Sequence, residues 1–312
     1  MTFDVGHGAR SLHAMLGLVP WQTHVVGEVP DRRMVVEYRF AETHPAVFGK
    51  FYADETGELV FQALRALDRS LARTQARSVL GLPTVLFYDP RHRFLAQRRV
   101  DGTPYPALLG RDDVHDLFRL AGQALAVLHA QRVPVGRVTW LDDHLRELIR
   151  PWPLSLAERW PEYRAPIQDL LATMAECEQP WRSLIEPAPI HRDVHLRQLF
   201  YGEVQSRVWL IDWDLVARGD PALDVGNLLV YLETHLADDQ AARASAAFLD
   251  GYLAGRPAAG LLQRVPLYKA FTYLRLACKR TRLAGEGWQD TTWDLLRRAE
   301  GCLALEVDRV IA

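Results

Sequence analysis

Two hydrophobic periodicities divide the chain near residue 100. On the N-terminal side, apolar and β-branched residues come in short runs, Met34-Val35-Val36-Glu37-Tyr38-Arg39-Phe40 and Val47-Phe48-Gly49-Lys50-Phe51-Tyr52. Such runs suit a pleated, half-buried surface and predict two strands. Ala41-Glu42-Thr43-His44-Pro45 between them predicts a turn joining antiparallel neighbours. Val60, Leu64 and Leu67 recur at helical spacing and predict a helix over about 58–69. Two more strands are expected at 84–88 and 94–98, and residues 100–104 read as a connector.

Beyond residue 110 the period changes to that of a helix. Asp112 and Asp113 suit a helix start, and Val114, Leu117, Phe118, Ala121, Ala124, Leu125 and Leu128 form one apolar stripe. A second stripe, Leu267, Ala270, Phe271, Leu274 and Cys278, follows Pro266, which is placed in the first turn of its helix. Between the helices lies one non-helical island, residues 189–224. The expected architecture is α+β, with a small antiparallel β-rich N-lobe over residues 1–100 and a larger helical C-lobe over 101–312. Ligand sites commonly form at such an interface.

Composition narrows the class. The 312 residues are 49 % apolar and 24 % charged, with a net charge of −2, too apolar for a disordered chain. That balance gives no reason to expect nucleic acid or a membrane surface as partner. Cys177, Cys278 and Cys302 are too far apart for a zinc site or a disulfide framework and read as buried thiols. No signal peptide or membrane-spanning run is visible, so a cytoplasmic protein is expected, monomeric or homodimeric.

The island carries the chemistry. It reads Pro189-Ile190-His191-Arg192-Asp193-Val194-His195-Leu196-Arg197-Gln198-Leu199-Phe200, then Val208-Trp209-Leu210-Ile211-Asp212-Trp213-Asp214, then Gly219-Asp220-Pro221-Ala222-Leu223-Asp224. Leu199-Phe200-Tyr201 and Val208-Trp209-Leu210-Ile211 flank a turn and predict a hairpin, which would bring Asp193, Gln198 and Asp212 to one end. Phosphoryl transfer needs that inventory. A carboxylate can orient an attacking hydroxyl and take its proton, and hard oxygen ligands can hold a magnesium ion against the triphosphate charge. Asp193 fits the base, Asp212 the main metal ligand and Gln198 a second ligand through its amide oxygen.

His191-Arg192-Asp193 with Gln198 five residues on resembles the catalytic loop of the kinase-like phosphotransferases, among them aminoglycoside, choline and homoserine kinases. Ile211-Asp212-Trp213-Asp214 resembles their metal-binding motif, and Gly219-Asp220-Pro221 with Asp224 the stretch that follows it. The resemblance is carried by residues of about 180–232. It implies a protein-kinase-like bilobal fold, Mg2+, and ATP or GTP as co-substrate. The acceptor would be a small hydroxylated molecule such as an antibiotic, sugar or amino alcohol. It further implies that Asp214 assists at the metal, and that Asp224 and His191 hold the catalytic loop. His195 reads equally as exposed or as touching substrate. One departure stands out: the family most often has Asn where this chain has Gln198. A non-catalytic nucleotide-binding module is the alternative. A protein kinase is disfavoured, because Asp212 runs almost directly into Gly219-Asp220-Pro221 with no activation segment.

The resemblance also implies an N-lobe that binds nucleotide, with a lysine on its third strand contacting the phosphates. Lys50 is the candidate, since a Lys inside an apolar strand needs a partner or a ligand. Glu58, with Glu55 behind it, is the expected helix partner. No glycine-rich loop is evident beyond Gly27. The strand and connector holding Gln97, Arg98 and Val100 are where the base would dock. At the acceptor end, Glu233, Asp238 and Asp239 are acidic, whereas Arg275, Lys279 and Arg282 make a basic stripe at helical spacing. That stripe reads as a solvated face or, if it lines the cleft, as the mark of a neutral or anionic acceptor.

Overall fold

The structure, a computed structural model, describes residues 3–41, 44–256, 260–283 and 285–310. The first lobe runs α1 (Val5–Leu16), β1 (Gln22–Val29), β2 (Arg33–Arg39), β3 (Val47–Tyr52), α2 (Thr56–Arg73), β4 (Leu80–Gly81), β5 (Val85–Asp89) and β6 (Phe94–Arg98). The chain continues through β7 (Thr103–Pro104), α3 (Val114–His129), α4 (Leu141–Leu148), α5 (Pro153–Arg159), α6 (Arg164–Glu178), β8 (Ala188–Ile190), β9 (Leu199–Gly202), β10 (Arg207–Leu210) and β11 (Ala217–Gly219). It ends in α7 (Ala222–His235), α8 (Asp238–Gly255), α9 (Leu261–Leu283) and α10 (Trp288–Val310).

The strands group as an antiparallel sheet β1-β2-β3-β6-β5, a sheet β4-β10-β9-β7 and a pair β11-β8. The expected bilobal α+β arrangement is therefore the observed one. The two lobes are knit together by β4, which pairs in parallel with β10 far along the chain. Of the expected turn at 41–45, Glu42 and Thr43 lie outside the described residues; the His44 amide bonds back to the Ala41 carbonyl at 3.0 Å.

Strand alternation positions the site. Successive side chains on a strand point to opposite faces. On β2 and β3, Met34, Val36, Tyr38, Val47 and Phe51 are buried with Phe94 and Leu12 in one apolar cluster. Their alternates, Arg33, Val35, Glu37, Phe48 and Lys50, line a cavity on the other face. The register sets Lys50 between Val35 and Leu95, well inside the sheet. Close packing explains Gly49: a Cβ there would lie 2.3 Å from the Phe94 ring.

Two elements depart from expectation. Both α1 and β1 were absent from the hydrophobic pattern, and every residue of β1 is exposed. Its registration comes from the β2 ladder, not from burial. The second departure is Pro266, which lies inside α9 and not in its first turn, because the helix already begins at Leu261. The stripe from Leu267 to Cys278 is buried as expected. Cys278 is buried and Cys177 and Cys302 are half-buried, and among the described residues no helix is long and apolar enough to cross a membrane.

Candidate active site

The hairpin forms as its sequence suggests. Arg207 pairs with Gly202, Val208 with Tyr201, Trp209 with Phe200 and Leu210 with Leu199. It carries Gln198 at one strand's start and Ile211-Asp212 at the other's end, and the Ile211 amide bonds to the Gln198 carbonyl at 3.0 Å. Trp213 then turns into the core, 1 % exposed, with its indole N–H on the Leu210 carbonyl at 2.7 Å. The flanking Asp212 and Asp214 both meet Lys50 and Arg33. Asp212 has φ 63° and Arg192 φ 70°. Non-glycine residues in the left-handed region cost of order 1–3 kcal/mol and gather at functional sites.

The loop before the hairpin is held by Asp224, completely buried near the start of α7. Its Oδ2 accepts from the His191 amide at 2.6 Å and its Oδ1 from the Arg192 amide at 2.7 Å. His129 Nε2 adds a third contact at 3.2 Å, with Tyr252 on the other ring nitrogen at 2.8 Å. Burial alone would raise the Asp224 pKa; the bond from His129 and the charges around it outweigh burial and hold it below the usual carboxylate range. Burial pushes the His129 pKa down. A neutral His129 that donates from Nε2 and accepts from the tyrosine satisfies every group. His191 Nε2 donates to the Ile211 carbonyl at 2.8 Å, tying the loop to the hairpin. Replacing Asp224 by Ala strands three buried donors, and a loss of about 3 kcal/mol in urea-unfolding stability is expected.

On that loop Asp193 is half-buried. Its Oδ1 accepts from Arg275 Nη2 at 2.9 Å, while Oδ2 lies 3.9 Å from His195 Nε2. His195 Nδ1 accepts from the Arg197 amide at 3.2 Å, so a neutral ring carries its proton on Nε2, toward Asp193. Burial pushes the His195 pKa down to about 4 and the His144 pKa to about 3, from an ordinary 6.5. Between pH 6.5 and those values the unfolded chain binds protons that the folded chain refuses. Folding stability should therefore drop as pH falls below 6.5, by about 1.4 kcal/mol per unit per histidine, and be unaffected by these groups above it. Urea midpoints at neutral and mildly acidic pH check this. His144→Gln, which keeps an acceptor for the Arg192 guanidinium, should flatten the slope.

Above the hairpin, Lys50 meets both carboxylates. Its Nζ is 2.6 Å from Asp212 Oδ1 and 2.8 Å from Asp214 Oδ1. Tyr52 donates to the same Asp214 oxygen at 2.8 Å, and Arg33 reaches Asp212 at 3.0 Å and also contacts Asp214. Two cations thus face two carboxylates. Burial would raise the Asp212 pKa, but Lys50 and Arg33 hold it well below the carboxylate range. Burial opposes the charge on Lys50, and Asp214 and Asp212 more than restore it.

Glu58 is not part of this group. It is exposed in the first turn of α2, where Gly57, Val60, Leu64 and Leu67 occupy the inward face. Glu55 pairs instead with Arg93 at 3.1 Å. No carboxylate of α2 therefore reaches Lys50, and Asp212 and Asp214 are its partners. The cavity, about 600 Å³, is also lined by Gln97, Arg98, Val100, Gln198 and Asp212. Arg33 was not foreseen: at a strand start it reads as an ordinary surface cation. Arg275 had appeared only as one member of the basic stripe.

The donor set suits magnesium. Asp212, Asp214 and Gln198 offer hard oxygens. Among the described residues no cluster of three or more His, Cys, Asp or Glu forms a metal cage; magnesium is commonly held by one or two carboxylates together with substrate phosphates. Gln198 Nε2 lies 3.3 Å from Asp212 Oδ2, and a turn of the amide would offer its oxygen there instead.

The profile of the phosphotransferase enzyme family matches residues 38–262. The chain belongs to that family. Its members are kinases acting on hydroxyl groups, and this chain is a phosphotransferase of that kind. No curated protein matches it by sequence. Among solved structures, a choline/ethanolamine kinase family protein from Mesorhizobium loti superposes with TM-score 0.65 at 17 % identity, covering 96 % of this chain and 94 % of the other. Spectinomycin phosphotransferase APH(9)-Ia, solved with ADP and spectinomycin, gives 0.63 at 12 % identity and 98 % of both chains. Choline kinase LicA from Streptococcus pneumoniae gives 0.59 at 15 %, with 96 % and 98 % covered. At these identities the likeness speaks for the fold. In this phosphotransferase the charge partners of Lys50 among the described residues are Asp212 and Asp214, and Arg33 lies beside the same two carboxylates.

Proposed function

We propose that this phosphotransferase moves the γ-phosphate of ATP or GTP to a hydroxyl of a small molecule in a magnesium-dependent reaction. The observation that carries the reading is the meeting of Lys50, Arg33 and Gln198 on Asp212, at the end of the hairpin that follows the loop bearing Asp193. The nucleotide would lie along β6 and the connector, against Gln97, Arg98 and Val100, its phosphates toward Lys50 and Arg33. Magnesium, when held by Asp212, Gln198 and Asp214, would supply charge neutralisation of the triphosphate. Asp193 orients the acceptor hydroxyl and receives its proton through Oδ2, the oxygen that Arg275 leaves free. The hydroxyl oxygen forms a bond to the γ-phosphorus as the bond from that phosphorus to the β–γ bridging oxygen breaks. The nucleoside diphosphate departs with that electron pair. Asp224 and His191 keep the loop in place through its backbone.

The test is magnesium-dependent phosphate transfer over a panel of aminoglycosides, sugars, amino alcohols and hydroxy acids. Turnover stimulated by one acceptor supports the reading. Nucleotide binding with no transfer to any acceptor supports the non-catalytic alternative. Failure to bind any nucleotide overturns both.

A further inference from the structure

The side chains around the base carry a charge opposite to that needed for a cationic acceptor. Arg275, on α9, is mostly buried, 17 % exposed, and spends one nitrogen on Asp193. Its Nη1 is buried and has no hydrogen-bond partner. A guanidinium is a planar fork built for two-point contact with a carboxylate or phosphate, and a dry, unmatched nitrogen is costly unless a ligand reaches it. One turn on, Lys279 stands at the mouth of a second cavity of about 330 Å³ between α7, α9 and α10. Burial and then Arg275 lower the Lys279 pKa, with Arg282 and Arg280 adding to the effect.

One wall of that cavity touches the loop that carries Asp193. Tyr231 on its wall packs against the His195 ring, centroids 4.9 Å apart, two residues from Asp193. The carboxylates there are already engaged. Glu233 holds Lys269 at 2.6 Å and the Tyr273 hydroxyl, and Asp294 holds Arg298 at 2.8 Å. Lys279 and Arg280 have no such partner among the described residues. Arg282, the last member of the stripe, faces solvent and takes no part.

We propose that the acceptor is an anion, a small hydroxylated molecule bearing a carboxylate or a phosphate, gripped by Arg275 and Lys279 with its hydroxyl presented to Asp193. This rests on the phosphotransfer reading and specifies its substrate class. The acceptor's anionic group takes up the free Nη1 of Arg275 and draws the guanidinium off Asp193, so the carboxylate is released when an acceptor is present. An amino alcohol or aminoglycoside in the same place would meet two cations, and the cavity's own carboxylates, Glu233 and Asp294, are already held by Lys269, Tyr273 and Arg298.

The test uses the full chain with magnesium and ATP, and matched acceptors on two skeletons. These are glycerate, glycerol 3-phosphate, glycerol and serinol, and gluconate, glucose 6-phosphate, glucose and glucosamine. At least one anionic member should be phosphorylated with a kcat/KM about tenfold or more above its neutral and amino counterparts. The carboxylate and phosphate arms show which anion is read. Lys279→Glu, at an exposed position, should remove that preference by raising KM for the anion, and Lys279→Arg should retain it. A neutral or amino member preferred over its anionic counterpart overturns the proposal. So does the absence of any anion turned over by protein that turns over another acceptor, or that binds ATP and magnesium by calorimetry. Absence of binding of both ATP and GTP in the same calorimetry would instead remove the phosphotransfer reading beneath it.

Discussion

Asp193→Asn should lower kcat for phosphate transfer by about 10³-fold while leaving the nucleotide KM nearly unchanged. The amide occupies the same volume and can still accept from Arg275, so the loop held by Asp224 keeps its shape. What the amide lacks is the ability to take a proton at Oδ2. General-base removal of this kind typically costs 10²–10⁴-fold. A fall in kcat with unchanged nucleotide KM marks an interaction made in the transition state. Steady-state kinetics on the acceptor found in the panel decides it. A variant that kept most of its kcat would remove Asp193 from the role.

Asp212→Asn should have an effect of similar size by another route. It removes the carboxylate that, among the described residues, alone touches Lys50, Arg33 and Gln198 together. If Asp212 holds magnesium as proposed, loss of its charge weakens that hold, so kcat/KM should fall by about 10³-fold, with part of the activity regained at high magnesium. A second consequence separates this variant from the first. In the ligand-free protein Lys50, with a side chain only 6 % exposed, and Arg33 would face Asp214 alone. An unbalanced, mostly buried cation is costly, and the apo protein should lose about 2 kcal/mol of stability. Urea unfolding in the absence of nucleotide would show it. Unchanged stability would mean that the four-charge group contributes nothing to folding.

Much of this molecule was legible in the chain alone, because its signals are local. The hairpin, the apolar stripes of α3 and α9 and the position of Lys50 on a strand follow from period and turn chemistry acting over a few residues. The proposed catalytic loop could be picked out because Asp193, Gln198, Asp212 and Asp224 fall within about 32 residues, and a hairpin joins the middle two at known register. Strand alternation then places Lys50 on the cavity face.

Partnerships across long stretches of chain were decided by tertiary structure. Lys50 was expected to pair with Glu58, eight residues away, yet its partners lie 162 and 164 residues on. A helical wheel gives Glu58 no inward face, because Gly57 and Val60 must pack against the sheet. Arg33, exposed β1 and the support of Asp224 by His129 and Tyr252 carry no local signal at all. Arg275 reads in sequence as one charge in a solvated stripe, and only the packing of α9 beside the catalytic loop, 82 residues away, sets it on Asp193. Hydrophobic period reports which side of an element is buried. Which charges meet depends on how the buried sides are assembled, and that is settled only when the lobes close over one another.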